Sequence, residues 1–196
     1  MTAPMLQDFS WERMIAAVEA VKERMLRAAG ALELAGIPYA VAGGNAVAAW
    51  VSRVDQAAVR NTQDVDILIR RADFAAVKTA LESVGFRHRH VASIDCFLDQ
   101  GSDKVRDAVH LLYADEKVRQ EYPLPSPDVD DIDQAGGYRV VSFEGLLRMK
   151  FNSYRLKDRV HLLDMIEVGL LDQSWLTRLI PEHAAKLQEL LDNPEG

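Results

Sequence analysis

Two aspartates one residue apart, Asp64 and Asp66, constrain this chain more than any other feature, because an apolar run begins between them. Side chains two residues apart in a strand share one face, so a strand over Val65–Ile69 would direct both carboxylates to the same side. Carboxylates sheltered by an apolar run need a partner, and oxygen ligands suit Mg²⁺. The pattern therefore predicts a divalent-cation site at the beginning of a buried strand.

An earlier glycine pair, Gly43 and Gly44, closes a second apolar run over Tyr39–Ala42. Glycine permits tight turns and leaves backbone N–H groups open to close approach by a ligand. Residues 45–54 are predicted to form a helix, and a helix N-terminus attracts phosphate. Together with the carboxylate pair, this unit predicts a site for a metal-bound nucleoside triphosphate. The alternative is a structural glycine turn beside a salt-bridged strand end.

Composition sets the broad class of protein. The 196 residues suffice for one domain, or for one domain with a small appendage, and 48% of them are hydrophobic. A formal net charge of −7 argues against broad, non-specific nucleic-acid binding, which usually needs a basic surface. The single cysteine, Cys96, is predicted to be a buried structural thiol. Because the sequence shows neither a secretory signal nor a transmembrane run, we expect a cytoplasmic protein without membrane contact.

Apolar periodicity and turn residues predict a mixed α/β core followed by a helical region. Helices are predicted over residues 10–35, 45–54 and 73–84, and strands over 39–42, 65–69, 86–91, 94–98, 105–113 and 138–141. The strands on either side of residues 99–103 are predicted to form a hairpin. From residue 142 onward one inward stripe is predicted, formed by Leu146, Met149, Ser153, Leu156, Val160 and Leu163. We expect a core at 1–141 and a helical C-terminal region at 142–196.

Two stretches, residues 39–47 and 60–68, resemble the nucleotidyltransferase superfamily in their Gly-Gly and Asp-x-Asp motifs. The chain is similar to the small bacterial branch that includes abortive-infection-type toxins and aminoglycoside or lincosamide nucleotidyltransferases. Residues 146–164 resemble the helix that follows the core in that branch. The resemblance spans residues 30 to 170. It implies an α/β fold of the α+β type, with a mixed sheet flanked by helices and a helical C-terminal extension.

The resemblance also implies a reaction, in which a nucleoside monophosphate passes from an NTP to an acceptor hydroxyl and pyrophosphate leaves. Asp64 and Asp66 would hold Mg²⁺, or Mn²⁺, on the triphosphate. Acceptors in the resembled branch include small hydroxylated molecules, protein side chains and tRNA ends. The residues assigned to the nucleotide are Gly43, Gly44, Asn45, Arg60 and Thr62.

A histidine, His110, stands where active members of the superfamily usually have a third carboxylate on a later strand. Histidine can act as a base near neutral pH, although its nitrogen suits Mg²⁺ less well than oxygen does. An equally open interpretation is a hydrogen-bonded residue of a buried strand. Asp107 is nearby but three residues earlier, so it is expected to face the opposite side of the same strand. Asp95 and Asp99, on the neighbouring predicted strand, are further candidates.

Three charged segments remain. Residues 148–159 contain five basic residues and one acid, and Lys150, beside the predicted inward stripe, is the best candidate there to bind a triphosphate. Residues 87–90, of sequence Arg-His-Arg-His, are predicted to be an exposed strand end. Residues 128–133, rich in aspartate, are predicted to be a solvated loop.

Three functions stay open at this level. The first is a nucleotidyltransferase with an unidentified acceptor. The second is a degenerate module that binds nucleotide or a partner protein without catalysis, as an antitoxin or regulatory protein would. His110 favours that second reading, whereas the intact carboxylate and glycine pairs disfavour it. A metal-dependent phosphohydrolase is the weakest, because no histidines cluster at metal-ligand spacing.

Overall fold

Each strand predicted from the sequence has a counterpart in the structure, a computed structural model that describes residues 8, 10–102 and 107–194. The strand predicted over 105–113 begins at Val109, and residues 105 and 106 of that prediction lie outside the described residues. Within that part of the chain the strands are β1 Tyr39–Ala42, β2 Val65–Ile69, β3 Phe86–Val91, β4 Ile94–Asp99, β5 Val109–Tyr113, β6 Ile132–Ala135 and β7 Tyr138–Val141. The helices are α1 Trp11–Leu34, α2 Gly43–Val51, α3 Phe74–Ser83, α4 Phe143–Ser153, α5 Leu156–Glu167 and α6 Pro181–Asp192. Short 3₁₀ turns occupy Arg71–Asp73 and Gln173–Thr177.

The strands form one mixed sheet in the order β3-β4-β5-β2-β1-β7-β6. The antiparallel pairing of β1 with β2 sets Ala42 opposite Asp66, and the parallel pairing of β2 with β5 sets Asp66 opposite His110. Because directly paired residues share one face of a sheet, this register brings the end of β1, Asp66 and His110 together. The predicted pairing of β4 with β5 is also confirmed.

Helices cover the sheet on both sides. Leu32 of α1 and Val77 of α3 pack with Ile67 in one core. The other core joins α2 to the C-terminal helices through buried residues such as Phe151 and Leu162. This layered arrangement confirms the predicted mixed α/β class with a helical C-terminal part. The division of the chain at residue 141 into two parts stays a prediction.

The first helix extends beyond its core. Ser10 caps α1 as predicted, because its side chain accepts a hydrogen bond from the N–H of Arg13. Along the predicted apolar stripe of this helix, Met25 is buried whereas Met14 and Val18 are exposed. No helix in the described ranges combines the length and the apolar character that crossing a membrane requires.

The continuous inward stripe predicted from residue 146 to residue 163 is wrong beyond α4. Tyr154 adopts a left-handed conformation with φ of 42°, so α4 ends and α5 begins in a new direction. Leu156 and Val160 are therefore exposed, and Leu162 faces the core instead. The break turns one face of α5 toward the beginning of β2, where Lys157 lies near Asp64.

Two turns differ from the sequence-based expectations. The acidic stretch 128–133 is not all loop, because its last two residues belong to β6, which forms a hairpin with β7 around Gly136 and Gly137. Strands β3 and β4 form a second hairpin around Ala92 and Ser93, both at positive φ. The sequence patterns predict neither hairpin.

Candidate active site

Asp64, Asp66 and His110 form a cluster where β2 and β5 begin, with Asp64 directly before the first residue of β2. One possible ligand atom from each of the three lies within 4.8 Å of those from the other two. His110 Nδ1 is 3.7 Å from Asp66 Oδ1, and all three residues are half-buried. Two carboxylates and one imidazole make a donor set that fits a divalent cation, with the nitrogen less suited to Mg²⁺ than the oxygens.

Hydrogen bonds hold Asp64 from two sides. Thr62 Oγ1 donates to Asp64 Oδ1 at 2.5 Å, and Asn45 Nδ2 donates to the backbone oxygen of Asp64 at 2.9 Å. Lys157 Nζ lies 3.8 Å from Asp64 Oδ2. Burial alone would raise the pKa of Asp64, but the hydrogen bond from Thr62 and the charge of Lys157 outweigh it and lower the pKa. Asp64 is therefore a carboxylate at neutral pH, as a cation ligand must be.

The Gly-Gly turn lies against the carboxylate cluster. Gly43 has φ of +63°, and a Cβ atom there would lie 1.9 Å from Asp66 Oδ2. A Cβ atom on Gly44 would lie 2.8 Å from Cβ of Thr62. Helix α2 begins at Gly43, and its N-cap residue Ala42 makes no side-chain cap. The first N–H groups of α2 thus lie at a helix N-terminus beside the cluster, where anions are favoured.

A buried ion pair stands on the C-terminal side of the site. Lys150 Nζ is 3.2 Å from Oδ1 of Asp158, which is fully buried. Arg155 Nε and Ser153 Oγ donate to Asp158 Oδ2 at 2.7 and 2.8 Å. Burial alone would raise the pKa of Asp158, but Arg155 and Lys150 lower it to about 2. We call the three cavity-lining cations of this region, Lys150, Arg155 and Lys157, the cationic wall.

The cluster and the cationic wall line one cavity of about 910 Å³, a volume in the range of small-molecule sites. Another part of the same cavity contains Asp95, which accepts hydrogen bonds from Tyr113 at 2.6 Å and from His88 and His90 at 2.9 Å. Burial alone would raise the pKa of Asp95, but these hydrogen bonds lower it to about 2. Asp95 is thus engaged with its own partners rather than with the cluster.

The structure brings together most of the residues predicted for the site. Asp64, Asp66, His110, Gly43, Gly44, Thr62 and Lys150 all line the cavity. Asn45 and Arg60 are not among the described residues that line it. Asn45 supports the backbone of Asp64, and Arg60 Nε pairs with Asp164 at 2.7 Å. The functional roles of all nine residues stay proposals.

Sequence reasoning missed two residues, Asp158 and His161. Asp158 occupies the third position of α5 and accepts from the backbone N–H of Arg155, in a capping box. An acid three residues after an N-cap is a usable signal. To recognise it, one must know that a helix starts at residue 156, and no glycine or proline marks that start. His161 follows Lys157 by one helical turn and contacts Lys150 only because of the break at Tyr154.

Comparison with known proteins identifies the fold. No protein-family model and no curated protein matches the sequence. The chain is similar to a nucleotidyltransferase-like antigenic protein from Paracoccidioides brasiliensis, with 18% identity and a TM-score of 0.54 over 91% of both chains. It is also similar to ANT(2″)-Ia in complex with adenylyl-2″-tobramycin, with 15% identity and a TM-score of 0.50 over 90% of this chain and 97% of that one. A solution structure of the antibiotic-resistance factor ANT(2″)-Ia shares 17% identity over 92% of both chains, at a TM-score of 0.46. At these identities likeness concerns the fold alone, and the first two of these structures show that the chain has the nucleotidyltransferase fold that the resemblance implied.

Proposed function

We propose that this protein is a metal-dependent nucleotidyltransferase that moves a nucleoside monophosphate from an NTP to an acceptor hydroxyl. The observation that carries the proposal is the cluster of Asp64, Asp66 and His110, which shares one cavity with the Gly-Gly turn and the cationic wall. The fold supports it, since ANT(2″)-Ia was solved with an adenylylated antibiotic.

The residues divide the work of such a transfer. A divalent cation held by Asp64 and Asp66, either Mg²⁺ or Mn²⁺, would offset negative charge on the phosphates. N–H groups of the first turn of α2 and the cationic wall would bind phosphate oxygens. His110 would accept the proton of the acceptor hydroxyl while the hydroxyl oxygen bonds to the α-phosphorus. The bond from the α-phosphorus to the bridging oxygen breaks, and pyrophosphate leaves.

The acceptor belongs to one of three chemical classes, which are a small hydroxylated molecule, a protein side chain and a tRNA end. The net charge of −7 favours the other two classes over a tRNA acceptor, because RNA-binding surfaces are usually basic. A protein acceptor would also fit a toxin–antitoxin pair with a cognate partner. A cytoplasmic location would supply the NTP.

A second candidate is a catalytically degenerate module that binds nucleotide, or a partner protein, without transfer. One observation favours it, because the third member of the cluster is the imidazole of His110 rather than a carboxylate. An antitoxin or regulatory protein would need no more than the binding.

Label transfer distinguishes the two candidates. The protein is incubated with Mg²⁺ or Mn²⁺ and each α-labelled NTP, with and without cell extract. Asp66→Asn should abolish transfer, whereas the matched control Asp130→Asn should retain it, because Asp130 pairs with Arg70 away from the cavity. NTP binding without transfer in any extract would support the degenerate module. A protein that binds no NTP would contradict both.

A further inference from the structure

We propose that His161 is a nucleotide-binding residue, whose ring is held in one tautomer by Lys150 and presents its Nε2–H group to a phosphate oxygen. The inference rests on the proposed function and adds to it a neutral hydrogen-bond donor among the cations of the wall. It follows from the geometry of a single contact, which decides where the proton of the ring lies.

That contact joins Lys150 Nζ to His161 Nδ1 at 2.9 Å. Burial lowers the pKa of Lys150, but the Asp158 carboxylate at 3.2 Å opposes that effect and favours the ammonium form. An ammonium group has three donors and no acceptor, so Nδ1 must accept and the proton of a neutral ring must sit on Nε2. Burial and the charge of Lys150 lower the pKa of His161 to about 4, which keeps the ring neutral at pH 7.

The ring that carries the Nε2–H group borders the cavity in which a ligand would lie. His161 is half-buried and lines the cavity. Among the described residues, Lys150 is the hydrogen-bond partner of this ring, and it occupies Nδ1 rather than Nε2. A donor that is fixed in direction and left without a protein acceptor is suited to a group that enters with the ligand.

The surroundings select an anionic oxygen as that group. Lys157 precedes His161 by one helical turn and lies 3.8 Å from Asp64 Oδ2 at the metal-binding cluster. Lys150 contacts Nδ1 of the ring. The carboxylates of Asp158 and Asp164 also act on the ring, but each is paired with a cation. A phosphate oxygen reaching His161 therefore meets positive charge from two lysines. A neutral donor adds a hydrogen bond there without adding repulsion between like charges.

Imidazole ¹⁵N NMR of the full-length protein tests the tautomer and the contact. We expect His161 to show the Nε2–H form at pH 7, and its Nε2 resonance to shift when tripolyphosphate is added with excess Mg²⁺. Lys150→Met should remove the fixed tautomer. An Nδ1–H form, or an Nε2 resonance that does not move while the probe binds, would overturn the proposal.

Two substitutions separate the donor from the ring. His161→Gln keeps an N–H group near the position of Nε2, and His161→Leu removes it. We expect His161→Leu to weaken binding of both tripolyphosphate and NTP by about tenfold, the loss of one hydrogen bond to a charged group, and His161→Gln to restore most of it. Thermal unfolding verifies that both variants fold.

The remaining outcomes are decisive in different ways. Equal losses in the two variants would show that His161 acts through packing, and the proposal would fail. A loss of affinity for NTP alone, with unchanged affinity for tripolyphosphate, would indicate that His161 contacts the nucleoside. That result would overturn the phosphate assignment. If wild type binds and transfers NTP and His161→Leu does the same, only this inference fails. Wild type that binds neither probe would contradict the proposed function as well.

Discussion

Oδ2 of Asp66 occupies the space into which a side chain at Gly43 would project, since a Cβ atom on Gly43 would lie 1.9 Å from that oxygen. Two separate structural requirements thus favour glycine at this position. It permits the positive φ with which α2 begins, and it leaves room for a carboxylate of the proposed cation site.

Replacing Gly43 by alanine should therefore damage the site more than the fold. Gly36→Ala is the matched control, because Gly36 has a similar φ of +68° and a Cβ atom there would meet nothing within 4 Å. We expect each variant to lose about 1 kcal/mol of unfolding free energy to backbone strain. Only Gly43→Ala should lose Mn²⁺ binding, measured by electron paramagnetic resonance. Equal Mn²⁺ affinity in the two variants would contradict this account.

Metal preference should depend on His110. Because His110 acts as the base rather than as a ligand, the cation has two carboxylates instead of three, and we expect wild type to transfer nucleotide better with Mn²⁺ than with Mg²⁺. His110→Asp supplies an oxygen ligand and keeps a base, so the ratio of Mn²⁺ to Mg²⁺ activity should fall by about tenfold. His110→Asn is the control that removes the base. A ratio that is the same in wild type and His110→Asp would show that a carboxylate at position 110 does not reach the cation.

The buried carboxylate of Asp158 should be important for stability. Asp158→Asn leaves Lys150 buried without its counter-charge, which should cost about 3 kcal/mol of unfolding free energy in urea denaturation. Glu116→Gln disrupts an ion pair with Arg71 that is largely exposed, and should cost less than about 1 kcal/mol. Similar losses in the two variants would show that the Asp158 network is no stronger than a surface pair.

Acid should destabilise the fold through His183, which is 1% exposed and has Nε2 at 3.1 Å from Asn152 Oδ1. Burial, with a smaller effect of Lys186, lowers the pKa of His183 from 6.5 to about 4. The unfolded chain binds a proton between these values and the folded chain does not, so stability is complete above pH 6.5 and declines as pH falls toward 4.

Urea denaturation at pH 7 and pH 5 measures this decline. We expect a loss of about 1 to 2 kcal/mol from His183, with His161 adding a loss of the same sign. His183→Gln keeps a donor for Asn152 but does not titrate, and should reduce the loss between the two pH values. An unchanged pH dependence in this variant would contradict a neutral, buried His183.

Local signals were sufficient for six of the seven strands in the described part of the chain and for the first half of the site. The strand with Asp66 and the glycine pair that begins α2 are each encoded in a few consecutive residues, and the strand register then brings them together. Strand β6 could not be found in this way, because its acidic residues resemble a loop and become a strand only by pairing with β7.

The C-terminal half of the site depends on events that local sequence does not show. Helical periodicity continues through Tyr154, yet the chain breaks there without glycine or proline. That break decides which side chains Lys150 meets, and it gives His161 its partner. Arg60, which the sequence assigns to the nucleotide, does not line the cavity for a related reason. It pairs with Asp164 of α5, a residue distant from it in the sequence.

The charges of the cavity come from distant parts of the sequence. Asp64 and Asp66 lie in the first half of the chain, and the cationic wall lies in its last third, where α4 and α5 pack on α2. On the ribosome the carboxylates therefore emerge well before the cations that face them. A nascent chain would present acidic groups that repel a triphosphate, so the proposed nucleotide binding would have to await docking of the C-terminal helices.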